Sequence, residues 1–293
     1  MSKINSYSLS DISIALKNLS IQEGDTVLFT GQLFSAGVMQ GVVDRETFLQ
    51  GWLNSIFDVI GDDGTLSVLT YTTQTARFSK PYYHEKTKPM NGIFSEFLLK
   101  QKGAVRSLHP IYSVTSLGKN SDFISKDNSP SSYGLCSPFD RLLKKNAKLV
   151  TLGIPYANNA FLHHIEHMIG VPYCYNKLLD IDVYVNDEKF DKHFFSNVRY
   201  LDLDIHHDLE KIKSKLNENR SVLSAHIGSA DIAAIDANEY CAILSNLIVD
   251  EPFGLLKGIP NFRKGKIPFD GATMGRDGIE AGNFSYFGSN EDN

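Results

Sequence analysis

Cysteine is scarce in this chain. Three thiols (Cys136, Cys174 and Cys241) among 293 residues, with no C-x-x-C pair, exclude a disulfide framework and a cysteine-rich zinc site. A reducing, cytoplasmic setting is the expectation. No apolar run reaches the roughly 18 residues that a membrane span needs. The opening stretch "MSKINSYSLSDISIALKNL" lacks the apolar core and small-residue cleavage site of a secretory leader. Positive charge is not in excess either. With 29 basic against 34 acidic residues, the net charge of −5 gives no basic face for nucleic acid. Internal repeats, low-complexity blocks and clear linkers are also missing. What remains is an ordinary globular composition, 42% apolar and 22% charged, with ample material for a large core.

The pattern along the chain is that of an α/β protein. Residues 8–19 read as an amphipathic helix with Ser8 or Ser10 as its cap. "GDTVLFT" (24–30) turns into a buried strand. Residues 43–61 read as a helix with Phe48, Trp52 and Ile56 on one face, Asp44 at its start and Gly61 at its end. "TLSVLTY" (65–71) and "NAKLVTLGI" (146–154) are further buried strands. This strand–helix–strand order predicts a mixed, partly parallel central sheet flanked by helices. Residues 72–90 form a long polar and aromatic loop, a length more often functional than idle. In the second half, 180–186 alternates as a strand and 207–219 reads as a charged surface helix. Residues 221–249 read as strand, turn and helix, and the glycine-dotted tail from 271 as irregular. One domain with a smaller C-terminal subdomain is the expected organisation.

Chemistry concentrates in "FLHHIEHMIG" (161–170). His163, Glu166 and His167 spell H-x-x-E-H, the inverted zinc-peptidase signature, and His163 and His167 share a helix face four residues apart. A third ligand is then required, and Asp236 and Glu239 downstream are the candidates. Alternatively, His163 and Glu166, three apart on one face, form a general base and its carboxylate without any metal. A third reading is a core helix with surface histidines. Upstream, "AVRSLHPIYSVTSLG" (104–118) sets Arg106, Ser107, His109 and Ser113 around a proline. That loop offers a guanidinium, hydroxyls and free N–H groups to an acyl carbonyl, a pantetheine amide or a phosphate. "YGLCSPFDRLL" (133–143) puts Ser137 and Pro138 at a helix start, a cap or anion site.

Taken in order, these stretches resemble the aminoglycoside 3-N-acetyltransferase family, antibiotic N-acetyltransferases distinct from the GNAT fold. The carriers, over about residues 8–177, are "GDTVLFTGQLFSAG", "DGTLSVLTYT", "KTKPMNGIFSEFLLKQKGAVRSLHPIYSVTSLG", "YGLCSPFDRLLKKNAKLVTLGI" and "NNAFLHHIE". The resemblance implies a single acyltransferase domain over 1–293. Residues up to about 177 would form its coenzyme A and catalytic part, and about 178–293 its acceptor part. It implies a direct, metal-free acyl transfer to a sugar amine, with acetyl-CoA or another short acyl-CoA as co-substrate. His163 would deprotonate the amine, and Glu166 would orient the base or hold the ammonium group. Thr30 and Ser35 would line the pantetheine channel, with Thr70 and Thr72 as similar candidates. Arg106, Ser107, His109 and Ser113 would lie near the thioester. Ala160 stands where the family has a threonine, and "TGQLFSAG" replaces its serine-rich loop.

On the acceptor side the candidates are Tyr71, Asn159, Arg263 and Lys264. The basic-aromatic stretch "GIPNFRKGKIPF" (258–269) suits a nucleotide diphosphate better than a polycation. The expectation is therefore acylation of a nucleotide-linked amino sugar, with aminoglycoside acetylation second and a zinc hydrolase on His163 and His167 behind both. Partners would be small molecules, with a homo-oligomer allowed and no nucleic acid or membrane.

Overall fold

The computed structural model describes residues 6–77, 80–200, 203 and 205–262. Its central sheet contains β1 (Thr26–Gly31), β2 (Thr65–Leu69), β3 (Val105–Arg106), β4 (Val114–Gly118), β5 (Lys148–Leu152), β6 (Leu223–Ile227) and β7 (Ala230–Asp236). Their order is β6-β7-β5-β1-β2-β4-β3. β1 lies parallel to both β5 and β2, and every other pairing is antiparallel. The expected mixed, partly parallel sheet is therefore present.

Both faces of the sheet are covered, which is why its central strands read as continuous apolar runs. In β1, side-chain alternation sends Val27 and Phe29 into one core and Leu28 into the other. The first core is closed by α1 (Leu9–Asn18) and α2 (Arg45–Ile60), through Ile12, Leu16, Trp52 and Ile56. The second is closed by α3 (Phe161–Ile169), α4 (Ala237–Asp250) and the short helix Pro138–Lys144. Ser8 caps α1 in a reciprocal capping box with Asp11, and Asp44 caps α2. Buried Trp52 donates its Nε1–H to the Tyr7 hydroxyl at 3.0 Å, so its polar end is satisfied.

The structure departs from the sequence reading in three places. The stretch 104–118 is a β3–β4 hairpin with Pro110 in its long connection, because the proline disrupts only the turn. The stretch 221–249 holds two strands before its helix. They turn at Gly228, whose φ of +56° and close approach to the Ala36 carbonyl leave no room for a side chain. Within 72–90 lie a short helix, Gln74–Arg77, and the strand Tyr82–Tyr83, which pairs in parallel with Val183–Val185. The tail from 271 lies outside the described residues. No helix among the described residues is long and apolar enough to cross a membrane.

Candidate active site

The sequence of α3 is apolar at Phe161, Leu162 and Ile165, which press into the second core and fix the helix rotation. That rotation buries Glu166 completely and leaves the His163 side chain 37% exposed. His163 Nδ1 lies 3.0 Å from Glu166 Oε2. A carboxylate only accepts, so Nδ1 carries a proton and Nε2 is the ring nitrogen not engaged with Glu166. The second carboxylate oxygen, Oε1, accepts from the Tyr173 hydroxyl at 3.0 Å and from His207 Nε2 at 2.6 Å. Burial pushes the Glu166 carboxyl up. The His207 charge and the hydrogen bonds from both imidazoles outweigh that effect and hold it well below the usual range. Glu166 is therefore an ionised carboxylate in a dry environment.

His207 is the residue that sequence reasoning missed. The charge pattern places it at the start of a surface helix, but that helix is Leu209–Glu218, and His207 precedes it with its ring turned inward. No local pattern marks it, because its partner lies 41 residues earlier in the chain.

Aromatic rings wall the site. Tyr133 stands 5.3 Å from the His163 ring, between centroids, and its hydroxyl donates to the Tyr71 hydroxyl at 3.3 Å. Tyr71 and Tyr112 meet edge to face at 4.9 Å. Burial raises both phenols of the Tyr71–Tyr133 pair, so they remain protonated and the Tyr71 proton is left to point elsewhere. The other histidines of α3 serve the fold. His164 Nδ1 donates to the Tyr133 carbonyl at 2.6 Å, and His167 packs against Gly134. Of the two acidic residues offered as a third zinc ligand, Asp236 caps α4 and pairs with Lys148, and Glu239 lies in the first turn of α4. Among the described residues no group of three His, Cys, Asp or Glu side chains is arranged to hold an ion.

A cavity of about 570 Å³ opens at the carboxyl ends of the parallel strands β1 and β2. Thr30 and Ser35 line it, together with Phe29, Phe34, Leu69 and Asn91. Its apolar floor belongs to the first core, whereas α3 belongs to the second. Tyr71 connects the two regions: its N–H donates to Asn91 Oδ1 of the cavity wall at 2.5 Å and its hydroxyl accepts from Tyr133, while His163 itself does not line the cavity.

The remaining candidates from the sequence gather into a buried polar knot. The Ser113 hydroxyl donates to the Thr70 carbonyl at 2.6 Å and lies 3.2 Å from Thr70 Oγ1. Arg106 donates to Ser113, to the carbonyls of His84 and Thr87, and to the Thr70 carbonyl. Thr72 donates to the Pro110 carbonyl, and Ser107 Oγ accepts the Val114 N–H. His109 Nδ1 accepts two backbone N–H groups, from Ile111 and Tyr112, so its proton sits on Nε2, 3.4 Å from the Phe195 carbonyl. These groups satisfy one another and the backbone, and apart from the wall Arg106 gives a smaller polar cavity, they line neither pocket. Asn159 accepts the Phe161 N–H at the start of α3. Ser137 caps the helix after it, with Pro138 in its first turn. Arg263 and Lys264 lie outside the described residues.

Comparison with known proteins matches residues 38–248 to the family model for aminoglycoside 3-N-acetyltransferase. Aminoglycoside N(3)-acetyltransferase VII of Streptomyces paromomycinus is 29% identical over 176 residues, which are 54% of this chain and 59% of that protein. Aminoglycoside N(3)-acetyltransferase III from Salmonella sp is 25% identical over 181 residues, 55% of this chain and 60% of that protein. The chain thus spans about three-fifths of the length of the curated relatives it matches. Among solved structures, aminoglycoside acetyltransferase AAC(3)-Xa superposes with a TM-score of 0.71 at 20% identity, covering 83% of this chain and 93% of that one. The binary complex of AAC-IIIb with CoASH gives 0.70 at 17% identity, over 84% and 97%. The second pair shares the fold at low identity, and the family match spans most of the sheet and all of α3. On that match the chain belongs to the aminoglycoside 3-N-acetyltransferase family.

Proposed function

We propose that the protein is an acetyl-CoA-dependent N-acetyltransferase acting on an amino group of an aminoglycoside. The observation that carries this reading is the His163–Glu166 pair: an imidazole 37% exposed whose Nδ1 is held by a fully buried carboxylate, which leaves Nε2 as the nitrogen to meet an amine. An acyl thioester is already activated, so the chain must supply position and a base. The amine nitrogen forms the new C–N bond as the C–S bond breaks. His163 Nε2 takes the proton shed by the amine, Glu166 stabilises the resulting imidazolium, and the thiolate leaves to be protonated. The cavity at the ends of β1 and β2 suits a pantetheine arm, with an apolar floor and hydroxyls from Thr30 and Ser35.

The acceptor differs from the one expected from sequence. The relatives named above are aminoglycoside acetyltransferases, and a nucleotide-linked sugar finds no support among them. The residues that favoured it, Arg263 and Lys264, lie outside the described residues.

Thiol release from acetyl-CoA, measured against a panel of aminoglycosides and amino nucleotide sugars, tests the reading. Transfer is expected with aminoglycosides, and transfer to nucleotide sugars alone overturns the acceptor. His163→Asn should lower kcat by roughly 10²–10⁴ with the melting temperature retained. Turnover within a few-fold of wild type removes His163 from the mechanism.

A further inference from the structure

We propose that His207 is a positioning residue of this site, fixing the far oxygen of Glu166 and thereby setting the aim and basicity of His163. The inference rests on the acetyl-transfer reading above and adds a component to it.

Two imidazoles share one buried carboxylate, so their roles must be told apart. His163 is 37% exposed, whereas the His207 side chain is 10% exposed. Only His163 can meet a substrate amine. The two rings stand 5.8 Å apart between centroids, on opposite oxygens of Glu166. A buried carboxylate with one undercompensated oxygen is costly and free to turn. Without His207, Oε1 would keep only the neutral Tyr173 hydroxyl at 3.0 Å.

The backbone around His207 is tied at several points. His207 bridges to Leu256, Lys257 N–H donates to the His206 carbonyl at 3.0 Å, and Asp208 N–H donates to the Leu255 carbonyl at 2.8 Å. Asp208 also caps the helix Leu209–Glu218. Such attachment holds a ring in place, as positioning requires. It does not suit a group that must swing.

Charge sharing gives the second half of the role. A donor on Oε1 draws carboxylate charge away from Oε2 and weakens its pull on the His163 proton. The other titratable groups near the carboxylate are Tyr133, Tyr173, Cys174 and Tyr240, and burial raises each of them. They remain neutral over the working range, and the guanidinium of Arg199 is a permanent cation. A limb that moves between variants therefore reports the His163–Glu166–His207 cluster and not these neighbours.

The test compares His207→Phe, which removes the donor, with His207→Gln, which keeps an N–H. For His207→Phe, kcat should fall roughly 10–100-fold with the KM for acetyl-CoA within about two-fold. The acid limb of kcat/KM should move upward by about 0.5–1 on the pH scale, because the undivided carboxylate holds the His163 proton more strongly. His207→Gln should recover part of kcat. An unmoved limb, or equal losses for the two variants, overturns the proposal.

A second readout holds whatever the acceptor proves to be. Proton NMR of the intact wild type should show two downfield imidazole N–H resonances bound to carboxylate. His163→Asn and His207→Asn should each remove one. A single resonance, lost only with His163→Asn, refutes the shared carboxylate even if the enzyme acetylates aminoglycosides. Two resonances without any transfer leave the geometry standing and refute the function.

Discussion

His109 and Glu166 are both fully enclosed, yet they titrate in ways that separate fold from site. Burial pushes the His109 imidazole down to about 4, against a small opposing pull from the Phe195 carbonyl. A histidine with a depressed folded value binds fewer protons folded than unfolded. Its contribution to stability is thus full above about pH 6.5 and is lost as pH falls toward 4. The loss is on the order of 3 kcal/mol, since each tenfold change in proton affinity corresponds to about 1.4 kcal/mol. Urea unfolding of wild type and His109→Gln at pH 7 and pH 4 should show this difference as a steeper acid loss in wild type. Equal losses would remove His109 from the account. Glu166 acts with the same sign at lower pH. Its depressed carboxyl stabilises the fold above the ordinary glutamate range and loses that contribution as pH falls through its folded value. Glu166→Gln should remove that deeper acid limb as well as activity, whereas His109→Gln should leave kcat near wild type. The polar loop 104–113 has the look of ligand chemistry in the sequence. A one-dimensional reading sees hydroxyls and a guanidinium, but not that Thr70, Ser113 and Arg106 already bond to one another.

Among the elements, the end of β5 controls the cavity. Gly153 follows that strand with a φ of +64°, and a Cβ there would stand 2.8 Å from Ser35 Cβ and closer still to its hydroxyl. Ser35 sits in the short helical turn Leu33–Ala36 that lines the cavity, anchored by its hydroxyl on the Gln32 carbonyl at 2.6 Å. Gly153→Ala should push that turn away. It should cost roughly 1–2 kcal/mol from the backbone conformation alone. KM for acetyl-CoA should rise several-fold, with kcat at saturation little changed. An unchanged KM with a lowered kcat would place the turn on the acceptor side instead. Elements with local signals were legible in the sequence. Ser8, Asp44 and Gly61 mark helix ends through bonds that span one turn. His163 and Glu166 could be read together because they are three apart on α3. His207 was not legible because its partner, Glu166, lies 41 residues earlier on α3, and the β3–β4 and β6–β7 pairings were not legible because no clean alternation marks β3 or β7. The two-residue strand β3 carries too short a pattern to stand out.

At the scale of the molecule, the two halves of the chain are interleaved around the site. β7 comes from the second half and pairs with β5 from the first, from Ile232–Leu152 to Asp236–Lys148. α4 packs beside α3, and the Tyr240 hydroxyl donates to the Ala157 carbonyl at 3.0 Å, just before α3. Tyr240, Leu244 and Ile248 fill the same core as Phe161, Leu162 and Ile165. Glu166 itself depends on His207, from the second half. A boundary near residue 177 therefore does not separate two independent cores, since β7 and α4 complete the sheet and the second core of the first part. A chain ended after residue 177 would leave β5 as an open edge and expose the second core, the combination that favours aggregation over a stable monomer. Such a truncated chain should show no cooperative thermal transition and should bind a hydrophobic dye strongly, whereas the full chain should melt cooperatively. A sharp transition in the shorter chain would show that the first half carries its own core. His163 would then be held without α4, and the dependence of the base on the second half would reduce to the single contact between Glu166 and His207.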